Sequence, residues 1–369
     1  MSPADWLPMH LHGKRVMTPL SWAEPSRQAA FESWLHSLSA TQQLRPETVK
    51  LASADASFRR YLRVQTTTPG VSRIVMDSPP ALENNAAFVH VARLLQDAGV
   101  HAPKILAHDA ENGFLLLTDL GAHTLLQSLP MPEPQLHQHF MDALDALVLW
   151  QDASQAGVLP AYDAAVLQRE MGLFQAWYVG QHKGIVLSEA EQADLLRMQA
   201  RIAEVNLLGP KVYVHRDYMA RNLLLDHDGR LGVVDFQDAL FGPVTYDIAS
   251  LMRDAFHNWE DDRIMDVTIR YWERVRRKPW FDFEDWSQDF GSFMRAVDWM
   301  ALQRHLKILG IFARLTLRDG KPKYLADTPR FVLYARDICA RYRELTPLLR
   351  LIDRIEGLQA ASGFAYGRS

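Results

Sequence analysis

Three side chains stand in a fixed order within residues 214–251, VHRDYMARNLLLDHDGRLGVVDFQDALFGPVTYDIASL. Asp217 follows His215-Arg216, Asn222 comes five positions later, and Asp235 closes the run Leu231-Gly232-Val233-Val234. Carboxylates so close to apolar runs are costly unless paired, hydrogen-bonded or metal-bound. A polar turn explains any one of these residues but not all three in this order. The set suits phosphoryl transfer from a nucleotide. Asp217 orients an acceptor hydroxyl and takes its proton, while the Asn222 amide oxygen and the Asp235 carboxylate are hard ligands for Mg²⁺. Such a metal neutralises charge on the phosphates.

These residues need a scaffold, and the composition supplies one. The 369 residues are 48% hydrophobic and 23% charged, with 10 Trp and 16 Phe, which implies a large core in one big domain or two lobes. A net charge of −4 gives no electrostatic reason to expect nucleic acid or an anionic membrane as partner. No apolar run approaches the roughly 18–20 residues that span a bilayer. MSPADWLPMHLHGKRVM has no basic-then-apolar leader pattern, so a cytoplasmic enzyme is expected, with Met1 and Met17 both standing as candidate starts. The lone Cys339, in the helical pattern FVLYARDICARYREL, reads as a small core residue. His10, His12 and His36 show no ligand spacing.

SRQAAFESWLHSL predicts a helix over 26–38. VKLASADASFRRYLRVQT reads as two strands around a tight loop, and SRIVMDSPP as a third strand ended by Pro79-Pro80. Residues 83–100 form a helix with Phe88, Val91, Leu94 and Leu95 on one face. KILAHDAENGFLLLTDLG is a hairpin turning at Glu111-Asn112-Gly113. Residues 48–121 thus read β-β-β-α-β-β. Helices follow at 133–153, 162–181 and 188–206, then the short strands of the motif, then helices again over 262–352. The predicted organisation is an N-terminal extension (1–25), an N-lobe (26–121) and a C-lobe (122–369).

The order His215-Arg216-Asp217, Asn222, then Asp235-Phe236-Gln237-Asp238 resembles the protein kinase-like superfamily, in its aminoglycoside phosphotransferase and choline kinase branch. That resemblance implies an α+β, two-lobed fold: a small antiparallel sheet with one main helix, and a larger, mostly helical lobe. It implies ATP and Mg²⁺ as cofactors, with His215 and Asp238 in supporting roles. In GPVTYDIASL it implies that Asp247 buttresses the catalytic loop; a helix N-cap is the other reading. ASFRRYLRV, VMDSPP, Glu83, LLLTDLG and HLKILGIFARLTLRDGKPKYL are similar to bacterial kinases that phosphorylate N-acetylmuramate and N-acetylglucosamine at the anomeric hydroxyl in cell-wall recycling. The expected partners are an amino sugar and a nucleotide, with the chain acting as a monomer.

The third strand departs from the superfamily. Arg73-Ile74-Val75-Met76-Asp77 has no Lys to grip nucleotide phosphates, which leaves Glu83 without its usual partner or as a plain helix acid. Arg59 and Arg60 alternate to opposite faces, so one of them supplies the cation, and Arg60 is carried as the candidate. The loop at 54–58 lacks glycine and would use backbone N–H groups and the Ser57 hydroxyl. Thr118, Asp119 and Leu120 would meet adenine through backbone groups. For the acceptor, Arg304, Lys307 and Arg314 offer cations at helical spacing beside Gln303. Glu170, Trp177 and Tyr178 form a second candidate wall, and Arg221 neighbours Asn222. Trp259 and Trp299 read as packing residues. An aminoglycoside, amino alcohol or protein acceptor is the first alternative; a nucleotide-binding pseudokinase is the second.

Overall fold

A computed structural model describes Trp22, residues 24–54 and residues 58–358. These fall into two compact units. One holds the described residues up to Asn85 together with Ile105–Asp119; the other holds Ala86–Lys104 and the described residues from Leu120 onward.

In the first unit Pro25 sits in the opening turn of α1 (Pro25–Leu38), where its missing N–H costs nothing. Strands β1 (Leu44–Ala54), β2 (Arg60–Thr66) and β3 (Ser72–Asp77) follow. Helix α2 (Asn85–Asp97) precedes β4 (Ile105–Asp109) and β5 (Phe114–Thr118). The sheet order is β1-β2-β3-β5-β4, antiparallel throughout. β1 begins earlier than its alternation suggests, because register shifts at 45–50 and 51–53 break the period of two. Pro46 is tolerated there since β1 is an edge strand. Leu62, Val64, Val75, Phe114 and Leu116 bury one sheet face against Phe31 and Leu35 of α1. The β4–β5 turn needs Gly113: its φ is +72°, and a Cβ would fall 2.0 Å from the Ser78 carbonyl oxygen.

Residues 86–104, predicted as part of the N-lobe, pack instead with the second unit. The buried face of α2 explains this: Phe88 meets Phe236 with ring centroids 4.9 Å apart. Val233 N–H then donates to the His101 carbonyl at 2.8 Å.

The second unit continues with β6 (His123–Thr124), α3 (Glu133–Asp152) and α4 (Ala164–Leu173). The helix predicted over 162–181 is not uniform: after Leu173 it widens into a π-helical segment, Phe174–His182. Ser188 and Glu191 form a capping box that starts α5 (Glu189–Leu208). β7 (Lys211–Val214), β8 (Leu223–Leu225), β9 (Leu231–Val233) and β10 (Leu240–Pro243) then make two small sheets, β10-β7 and β6-β8-β9. Helices α6 (Thr245–Met252), α7 (Asp261–Val275), α8 (Phe290–Leu317), α9 (Thr328–Arg341) and α10 (Thr346–Glu356) complete the unit. The 28-residue α8 buries more than half of its residues and forms the spine of the unit. Cys339, Trp259 and Trp299 are buried packing residues, and burial pushes the Cys339 thiol up to about 12. Among the described residues no helix is long and apolar enough to cross a membrane.

Candidate active site

The strands of the second unit exist to hold a loop. β7 ends at Val214 and β8 begins at Leu223, so residues 215–222 hang between two short strands, each paired to another. β9 then delivers Asp235, and Val234 N–H donates to the Asn222 carbonyl at 3.0 Å. The amide of Asn222 reaches both residues: its Nδ2 donates to the main-chain carbonyl of Asp217 at 2.8 Å and to the carboxylate Oδ2 of Asp235 at 3.2 Å. Gln237 Nε2 donates to Asp235 Oδ1 at 2.9 Å. The structure therefore brings Asp217, Asn222 and Asp235 together. Both Asn222 amide hydrogens are spent on protein oxygens, which leaves Oδ1 as the atom for a cation.

His215 works behind this cluster. Its Nε2–H donates to the Val234 carbonyl at 3.1 Å, and its Nδ1 accepts the Asp217 N–H at 3.3 Å, which fixes one neutral tautomer. Burial pushes the ring down to about 4, outweighing the nearby Asp217 charge.

Asp247 does not cap its own helix. Its carboxylate accepts the backbone N–H of His215 at 2.7 Å and of Arg216 at 3.0 Å. Burial pushes this carboxyl up to about 7 against the pull of those bonds. A second carboxylate does the same further along and was not singled out in the sequence. Asp254, fully buried, accepts Ala220 N–H at 3.0 Å and Phe256 N–H at 2.7 Å. It lies just beyond the end of α6, where no helical or strand period marks it in the sequence. Arg330 fixes the following segment through the carbonyls of Asp254, Ala255 and His257.

Arg216 and Asp235 both lie in the left-handed region, at φ +75° and +66°. For residues with a Cβ this costs on the order of 1–2 kcal/mol each, so the surroundings must impose it. Around Arg216 they do. Its N–H is taken by Asp247, its carbonyl accepts Arg304 Nη1 at 3.2 Å, and its guanidinium donates to Glu170 Oε1 at 2.6 Å and to the Asp238 carbonyl at 3.3 Å. Glu170 in turn accepts from Lys307 Nζ at 3.0 Å, from Gln303 Nε2 at 3.0 Å and from the Tyr162 hydroxyl. Burial would raise the Glu170 carboxyl, but Lys307 and Arg216 hold it down at about 2. Glu170 and Lys307, predicted as acceptor ligands, are thus bonded to each other. Arg314, two turns beyond Lys307 on α8, is not among their partners. Arg221 is exposed and lies 4.5 Å over the Phe256 ring, and the Asp238 side chain is exposed. Tyr178 donates to Glu356 at 2.9 Å, and Trp177 is half-buried on the π-helical segment.

In the first unit Glu83 does have a partner. Its carboxylate takes Arg59 Nη2 at 2.9 Å and the Phe58 N–H at 3.1 Å. Arg60, the predicted candidate, is engaged elsewhere: Asp77 binds it through Nε at 2.9 Å and also holds Arg27, while its guanidinium lies 4.2 Å over Trp22. The cation paired with Glu83 is therefore Arg59. Thr118 ends β5 opposite Arg73, Asp119 accepts from Arg63 at 2.5 and 3.0 Å and from Ser72 at 2.5 Å, and Leu120 is buried. Ser57 lies outside the described residues.

Among the described residues no three or more His, Cys, Asp or Glu side chains cluster as a metal cage. One amide oxygen and one carboxylate nevertheless fit Mg²⁺, which takes few protein ligands and completes its shell with phosphate and water.

A family model described as the phosphotransferase enzyme family matches residues 48–284. The chain belongs to that family. The phosphotransferase is 48% identical over 311 residues to the N-acetylmuramate/N-acetylglucosamine kinase of Pseudomonas aeruginosa, covering 84% of this chain and 89% of that one. It is 40% identical over 346 residues to the kinase of the same name from Neisseria meningitidis serogroup B, covering 92% and 99%. Solved structures share its fold at low identity. The choline kinase LicA from Streptococcus pneumoniae matches with TM-score 0.57 and 13% identity, covering 85% of this chain and all of that one. The ADP-bound aminoglycoside phosphotransferase APH(2'')-Ib matches with TM-score 0.57 and 11% identity, covering 83% and 98%. The two-lobed, kinase-like fold of this ATP-dependent phosphotransferase is thereby established.

Proposed function

We propose that this phosphotransferase moves the γ-phosphoryl group of ATP onto the anomeric hydroxyl of N-acetylmuramate and N-acetylglucosamine. The observation that carries the acceptor is the match to kinases of that name at 40% and 48% identity over most of their length. The site supports it. Arg304 is buried, and Arg216 and Lys307 are largely buried, within electrostatic reach of Asp217; Glu170 offsets part of their charge, and the surroundings tolerate a neutral or carboxylate-bearing sugar.

In this reading Asp217 orients the C1 hydroxyl and accepts its proton as the sugar oxygen bonds to phosphorus and the bridging oxygen leaves with ADP. Asn222 Oδ1 and Asp235 would hold Mg²⁺, which when bound supplies charge neutralisation on the phosphates. Arg59, braced by Glu83, replaces the absent third-strand Lys as the cation for the nucleotide phosphates. Residues 118–120 offer backbone groups to adenine. With Arg59 in that role, the missing Lys no longer argues for a non-catalytic nucleotide-binding protein.

The test is ³¹P NMR of the product from N-acetylmuramate and ATP, where an anomeric phosphate couples to H1. ADP release with aminoglycosides or amino alcohols, and none with either amino sugar, sinks the acceptor assignment.

A further inference from the structure

Arg216 is the residue before Asp217, and four independent groups fix it. Asp247 binds its N–H at 3.0 Å and Arg304 binds its carbonyl at 3.2 Å, so the peptides on both sides of the strained φ are held. The guanidinium is drawn to Glu170 at 2.6 Å and lies 5.6 Å from the Tyr162 ring centre. Each Glu170 oxygen accepts two hydrogen bonds, from Arg216 and Lys307 on Oε1 and from Tyr162 and Gln303 on Oε2. A carboxylate offers about four acceptor directions, so the shell is complete and leaves none for a sugar hydroxyl. Lys307 donates to Glu170 and to the Tyr246 hydroxyl, both at 3.0 Å, which engages two of its three ammonium hydrogens.

We infer that Glu170 and Lys307 are positioning residues, which lock Arg216 in its left-handed conformation and so aim Asp217, rather than ligands of the acceptor. The inference rests on Asp217 being the base. Its physical logic is rigidity. Glycine would reach φ +75° without strain but would not be held there, whereas an arginine tied at its amide, carbonyl and guanidinium leaves Asp217 little freedom. A carboxylate misplaced by an ångström loses on the order of a hundredfold in rate. The ties come from elements far apart in the chain: Glu170 from α4, Asp247 and Tyr246 from α6, Gln303, Arg304 and Lys307 from α8.

Steady-state kinetics of the full chain with N-acetylglucosamine and ATP test this. Glu170→Gln and Lys307→Met each lower kcat by on the order of ten- to a hundredfold, with both KM values held within about twofold, because the lost interaction serves only the reacting geometry. Arg216→Gly is itself slow, and Glu170→Gln costs less than about twofold more in that background, since its effect passes through Arg216. Tyr162→Phe removes one donor to Glu170 at nearly constant volume. It carries the same measurement, with about a threefold loss in kcat, if Glu170→Gln does not fold. A raised acceptor KM with kcat intact overturns the inference. So does a Glu170→Gln loss of equal proportion in the wild-type and Arg216→Gly chains. Asp217→Asn is measured alongside. If it keeps turnover, the base assignment fails; if it is inactive while the Glu170 variant changes only KM, the clamp alone fails.

Discussion

Replacing Gly310 with alanine measures how closely α8 is pressed against α4. A Cβ at 310 would lie 2.3 Å from the carbonyl carbon of Leu173 and 2.5 Å from both its Cβ and its carbonyl oxygen. These are backbone or near-backbone atoms, so no side-chain rotation relieves the overlap. Inserting a methyl into such a contact costs about 1–3 kcal/mol, and a rigid neighbour puts this site at the upper end. Against that, alanine is favoured over glycine inside a helix by about 1 kcal/mol. The net expectation is a loss of about 2 kcal/mol, or a fall in melting temperature of about 4–8 °C at about 2–4 °C per kcal/mol for a unit of this size. Gly172 is the control. It lies on α4 one residue from Leu173, but a Cβ there meets nothing within 4 Å. Gly172→Ala should therefore stabilise by about 0.5–1 kcal/mol. Both values come from urea and thermal unfolding followed by circular dichroism. Because α8 carries Lys307 and α4 carries Glu170, Gly310→Ala should also lower kcat. A Gly310→Ala chain as stable as wild type, or a Gly172→Ala chain less stable than it, refutes this packing.

Two further outcomes follow from the same contacts. Arg59→Ala should raise KM for ATP about tenfold to a hundredfold, the equivalent of one charge-assisted hydrogen bond of about 1.5–3 kcal/mol, whereas Arg60→Ala lowers stability and leaves KM for ATP nearly unchanged. The reverse pattern would return the nucleotide role to Arg60. For His215, whose folded value is lowered to about 4, the unfolded chain gains a proton near pH 6.5 before the folded chain does. Its stabilising contribution is complete above pH 6.5 and drains as pH falls towards 4, by up to about 3 kcal/mol. Asp247, raised to about 7, acts in the opposite direction over about pH 4–7, since the folded chain keeps its proton longer. Long-range ¹H–¹⁵N spectra should show His215 as the neutral Nε2–H tautomer down to about pH 5; a ring titrating near its ordinary value contradicts the buried arrangement.

The loop proposed here as catalytic was legible from residue order. Asp217, Asn222 and Asp235 lie within nineteen residues, and the strands around them carry enough local pattern to place all three on one loop and one strand end. So was the antiparallel sheet of the first unit, because alternation and turn residues are short-range signals. The remaining choices were made by contacts between distant segments. Alternation shows that Arg59 and Arg60 face opposite ways, but only the packed sheet shows which meets Glu83 and which meets Asp77. Cations at helical spacing on α8 look alike in the sequence, yet only the tertiary fold sets Lys307 against Glu170 and Arg304 against the Arg216 carbonyl. The same holds for Gly172 and Gly310, identical residues on helices whose difference is the neighbour each one meets. Local order fixes which groups a segment carries; the closing of long loops fixes which of them touch, and no period of two or 3.6 encodes that choice.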